Sequence, residues 1–141
     1  MKTLYTFGYQ VVKTAAQIKA LAEKCDAVVV DTRFSPRSWS REFKQATLKE
    51  VLGERYKYAA SLGNKNYKSE SEIVLVDEKH GCNYVISLLS YHNVILLCGC
   101  KDHTKCHRTY IAELIDFELV RLGMWKPETI HLQTQDVPQL P

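Results

Sequence analysis

The stretch LLCGCKDHTKCHRTYIAELI, residues 96–115, decides how this chain is read. It opens as the end of a continuous apolar run, NVILLC at 93–98, of the kind that forms a strand covered on both faces. It closes with Ile111, Leu114 and Ile115, which continue through Leu119 and Leu122 as one helical stripe up to Gly123. Between strand and helix stand Cys98, Cys100, His103, Cys106, His107 and Arg108. Asp102 or Thr104 is expected to cap the helix, which places Cys106, His107 and Arg108 in its first turns.

The same strand–loop–helix rhythm runs outward in both directions. LYTFG at 4–8 reads as a first strand, and TAAQIKALAEKC at 14–25 as a helix capped by Thr14. AVVVDTR at 27–33 is a β-branched run that turns polar at Asp31. SREFKQATLKEVLGE at 40–54 reads as a helix capped by Ser40 and stopped at Gly53. YKYAAS at 56–61 is a weaker strand, and 62–72 is loop-like. Residues 72–92 are ambiguous: Val85, Ile86, Leu88 and Leu89 favour a helix in the second half, while Gly81 argues against one unbroken helix. TIHLQ at 129–133 looks like a last short strand. Strands followed by helices in this order predict a single-domain, three-layer α/β fold over residues 1–133, its mostly parallel sheet flanked by helices, with a Pro-containing tail at 134–141.

With 141 residues the chain is long enough to bury a core without staples. A net charge of +3 permits an anionic ligand without demanding nucleic acid. The start MKTLYTFGYQ lacks the apolar segment of a secretory signal, and no apolar run approaches the length that crosses a bilayer. An odd cysteine count of 5 then points to free thiols in a reducing cytoplasm. No membrane partner and no cofactor are expected.

In such sheets ligands bind beyond the carboxyl ends of the strands. The polar residues that follow strands are Gly8 and Tyr9, then 31–41 (DTRFSPRSWSR), then 98–108. Arg33, Arg37 and Arg108 are forked donors suited to phosphate or carboxylate. Ser38 and Ser40 are placed to cap the helix that follows, an end that favours an anion. Asp31 orients an arginine or takes a proton. His107 is an acid–base group, Cys98 a strand-end nucleophile, and Cys106 and Tyr9 supporting groups.

Three other readings of the cysteines stand beside this one. Zinc would use Cys98, Cys100, His103, Cys106 and His107, but no second pair of ligands stands elsewhere as structural sites usually require. A redox pair lacks the C-x-x-C spacing. A thiolate phosphatase cradle is shorter than the nine residues between Cys98 and Arg108. A non-catalytic alternative is a nucleic-acid module that stacks a base on Trp39 among Arg33, Arg37, Arg41 and Lys44. The best-supported reading is an enzyme with a phosphate- or nucleotide-like anion pocket.

YTFGY, VVVDTRFSPRS, YKYAASLGN and LLCGCKDHTKCHR, in this order, resemble the domain of unknown function 488 family over roughly residues 4–132. The resemblance implies a compact α/β domain, and it carries a polar set onto Asp31, Arg33, Pro36, Arg37, Ser38, Cys98, Cys106, His107 and Arg108. Two positions depart from the pattern. Gly8-Tyr9-Gln10 stands where Gly-His-Ser is usual, so no histidine role is implied there. Leu62-Gly63-Asn64 replaces Leu-Gly-Gly, which questions a close backbone approach at position 64. Cys100 and His103 match nothing in the pattern.

Overall fold

The computed structural model describes residues 2–36, 38–67, 72–99 and 106–140. Five parallel strands run in the order β3-β2-β4-β1-β5: β1 Leu4–Gly8, β2 Ala27–Asp31, β3 Tyr56–Tyr58, β4 Asn93–Cys98 and β5 Thr129–His131. The helices are α1 Ala15–Cys25, α2 Gln45–Leu52, α3 Glu78–Leu89 and α4 His107–Arg121.

The strand alternation explains the three layers. Val28, Val30, Val94 and Leu96 pack on one face against Val85 and Leu89 of α3 and Ile111 and Ile115 of α4. Ala27, Val29, Ile95 and Leu97 face the other way, against Ile18 and Leu21 of α1 and Leu48 and Leu52 of α2. Residues 27–30 of β2 and 94–98 of β4 are therefore apolar on both faces, as a doubly covered parallel strand requires.

Local signals account for most boundaries. Thr14 caps α1 with a complete capping box: its hydroxyl accepts from Gln17 N at 3.3 Å, and Gln17 Oε1 accepts from Thr14 N at 3.0 Å. Asp77 caps α3 by accepting from His80 N. Gly53 ends α2 with φ +58°.

Three expectations change. The helix predicted from Ser40 begins later, because residues Arg41–Phe43 form a 3-10 turn that buries Phe43, and α2 starts at Gln45 with no side-chain cap from Ser40. Gly81 lies inside α3 without breaking it. A Cβ there would meet Leu62 Cδ2 at 2.4 Å, so this glycine answers to packing. Leu122 falls just past the end of α4 and is exposed, and Ala112 completes the buried stripe of Ile111, Ile115 and Leu119.

β4 lies between β1 and β2, so the chain leaves β1, forms β2 and β3, and returns to fill the gap. In register, Gly8 stands beside Cys98 and Asp31 beside Leu97. Three carboxyl ends thus meet at one edge of the sheet. Among the described residues, no helix is long and apolar enough to cross a membrane.

Candidate functional site

Two polar clusters stand at this edge, on opposite faces of the sheet. The first belongs to the α1–α2 face. Asp31 continues the alternation of Ala27 and Val29 and is fully buried. Arg33 grips it with both arms of its fork, Nε to Oδ1 at 2.9 Å and Nη2 to Oδ2 at 2.7 Å. Tyr56 Oη also donates to Oδ2, at 2.6 Å, and Arg33 Nη1 donates to the Phe43 carbonyl at 2.7 Å. Burial pulls the Arg33 guanidinium down, but the hydrogen bonds and charge of Asp31 outweigh it and hold it above the usual arginine range. Burial, then the Asp31 charge, push the Tyr56 phenol far above its ordinary value. Both Asp31 carboxylate oxygens thus accept from Arg33, and Oδ2 from Tyr56 as well.

Arg33 also lies over the ring of Tyr9, 5.4 Å from its centre, and Tyr9 stacks on Phe43 at 4.5 Å. Tyr9, Gln10, Arg33, Phe34, Ser35, Tyr67 and Gly99 line a cavity of about 300 Å³. It draws on the loops after β1, β2 and β4, and Gly99 directly follows the β4 cysteine. A Cβ on Gly99 would come within 3.2 Å of Tyr9 Oη, so glycine keeps this wall open.

The second cluster belongs to the α3–α4 face. Cys98, in phase with Val94 and Leu96, is wholly buried, and Cys106, His107 and Arg108 are only 2%, 9% and 1% exposed. Arg108 Nη1 donates to Cys98 Sγ at 3.1 Å. Burial lowers the Arg108 guanidinium, and the charge of Cys98 and Cys106 more than reverses that, leaving it raised. Cys106 is the N-cap residue of α4, and its sulfur lies 3.8 Å from His107 Nδ1. His107 Nε2 is 2.9 Å from the Thr32 carbonyl and 3.2 Å from the Thr32 hydroxyl. Cys98, Cys106 and His107 each offer one ligand atom, all within 4.8 Å of one another.

The predicted residues therefore divide. Cys98, Cys106, His107 and Arg108 come together, as do Asp31, Arg33 and Tyr9. Ser38 lines a separate cavity with Pro36, Trp39 and Lys44, and its hydroxyl accepts from Ser40 N. Arg37, Cys100, Asp102, His103 and Thr104 lie outside the described residues. Asn64 is buried, and its Oδ1 accepts from the backbone of Asn66 and Val74. The close approach falls one residue earlier, where a Cβ on Gly63 would stand 2.6 Å from Phe34 Cα.

Sequence reading passed over Thr32 and Tyr56. Thr32 had a usable signal: strand alternation turns it away from Asp31 and toward the Cys98 face. Tyr56 had none, because its partner lies across the β2–β3 pairing.

The family model described as Domain of unknown function DUF488 matches residues 13–115. No curated protein and no solved structure matches the chain.

Proposed function

The chain belongs to the DUF488 family, and from that premise we propose that it is a cytoplasmic enzyme taking an anionic, phosphate- or nucleotide-like substrate at the carboxyl ends of its strands. The observation that carries this reading is the buried contact of Arg108 Nη1 on Cys98 Sγ, one residue from a cavity walled by Arg33. A cation against a sulfur favours the thiolate. A cavity of about 300 Å³ is of the size that holds a small ligand.

In this account Cys98 is the nucleophile and His107 moves the proton, with Cys106 supporting both. Arg33 at the cavity wall and Arg108 attract and hold the anion, and Asp31 fixes Arg33. Thermal melts with inorganic phosphate, pyrophosphate and nucleoside phosphates test it. At least one should raise the melting temperature, and Arg108→Met should weaken that rise. Melts indifferent to every anion, with Arg108→Met behaving as wild type, refute it.

A non-catalytic nucleic-acid module has one observation in its favour: Trp39 is fully exposed, beside Arg41 and Lys44. Salt-dependent binding of single-stranded oligonucleotides that survives loss of Cys98 and His107 would select that reading.

A further inference from the structure

The neighbours of His107 fix which ring nitrogen carries a proton. Nε2 faces two oxygens of Thr32, the carbonyl at 2.9 Å and the hydroxyl at 3.2 Å. The Thr32 hydroxyl proton is already donated to the Leu97 carbonyl at 2.9 Å, so its oxygen is left to accept. A carbonyl only accepts. Nε2 must then be the N–H, and in the neutral ring Nδ1 is a bare lone pair. That lone pair faces Cys106 Sγ at 3.8 Å, with Cys98 Sγ in the same group.

A histidine that donates one ring N–H to a backbone carbonyl and turns the other nitrogen toward a cysteine sulfur has the outer contacts of a metal ligand. Arg108, donating to Cys98 Sγ, supplies the hydrogen bond that a ligating thiolate commonly receives. We propose that Cys98 Sγ, Cys106 Sγ and His107 Nδ1 are three ligands of a zinc-class divalent ion. The inference rests on reading this cluster as the functional centre, and in the metal-bound chain ligation replaces the nucleophile and proton-carrier roles given above to Cys98 and His107.

The donor types are the soft N/S set that zinc takes. Tetrahedral ligands at about 2.0–2.3 Å from the ion stand about 3.3–3.8 Å apart, so a group spanning 4.8 Å closes by about 1 Å. Strand β4 supplies one ligand and the start of α4 the adjacent two, which explains why a search for two separated ligand pairs passes over the site. Two thiolates neutralise the ion, and Arg108 leaves the site with an excess positive charge.

The test titrates the reduced full-length chain, stripped with a chelator, with Co²⁺ alone and then Zn²⁺ alone. Sulfur-to-cobalt charge-transfer bands and tetrahedral visible bands should saturate at about one equivalent, with proton release, and Zn²⁺ should bleach them. Cys106→Ser and His107→Ala should lose or shift these bands, while Cys25→Ser and Cys100→Ser keep them, all with native circular dichroism. Absent charge-transfer bands, or bands lost in Cys100→Ser and kept in Cys106→Ser, overturn the site. A Cys98–Cys106 disulfide formed in air by a chain that takes up no metal when reduced overturns it too. None of these results bears on anion binding by the chelator-treated protein, so the two proposals fail separately.

Discussion

Asp31→Asn removes a charge and almost no volume, and the contacts around it set the size of the effect. The carboxylate accepts from Arg33 Nε, Arg33 Nη2 and Tyr56 Oη at 2.6–2.9 Å, and none of it reaches water. The asparagine turns one acceptor into an NH₂ group facing donors. Arg33, 6% exposed, keeps its charge with its counter-ion gone. Breaking a buried pair from one side costs about 3–5 kcal/mol. For a chain of this length that is about 10 °C or more in melting temperature. Urea melts followed by far-ultraviolet dichroism should show the midpoint falling with an unchanged slope. Adding Arg33→Met removes the stranded charge and should recover about 1–3 kcal/mol as non-additivity. A loss below about 1 kcal/mol for Asp31→Asn, or a double variant that merely adds the two singles, would refute the buried-pair reasoning.

Three further outcomes follow from the same geometry. Gly63→Ala places a methyl 2.6 Å from the backbone of Phe34, so urea melts should show a loss of about 1–3 kcal/mol. Gly99→Ala presses on Tyr9 Oη at 3.2 Å, where the wall has some give; it should leave stability within about 0.5 kcal/mol yet reduce the melting-temperature rise caused by the best anion. The Cys82 thiol is pushed up to about 11 by burial and then by Glu78 and Glu118, from an ordinary value near 9. The unfolded chain thus releases this proton first, and stability contributed by the neutral thiol is lost as pH rises from about 9 to 11. That loss is about 2–3 kcal/mol, so Cys82→Ala should flatten the alkaline limb of the stability profile relative to wild type.

Much of the fold was legible because local chemistry and tertiary packing agree. The runs at 27–30 and 94–98 are apolar on every residue, and the structure buries both faces of them. Thr14 and Gln17 announce α1 through a capping box that needs no long-range partner. The start of α2 was misread because Ser40 is a good cap by type, while the burial of Phe43 holds the intervening turn in a 3-10 form. Strand order was out of reach, since the return of β4 between β1 and β2 is fixed by pairings distant in sequence. The site was legible as a place. Its division into an Asp31–Arg33 pair and a Cys98–Arg108 pair was not drawn, although alternation along β2 and β4 already sends Asp31 and Cys98 to opposite faces.

The most direct test of the central claim, a thiolate at Cys98 held by Arg108 beside an anion cavity, is the charge selectivity of its alkylation. The reduced, chelator-treated protein is exposed in parallel to anionic iodoacetate and neutral iodoacetamide, and Cys98 modification is followed by peptide mass spectrometry. Iodoacetate should react faster with Cys98 in the folded chain, phosphate should slow it, and Arg108→Met should erase the preference while Cys25 shows none. Cys98 that neither reagent alkylates in the folded chain, or that both alkylate equally without effect of phosphate or Arg108→Met, would contradict the account.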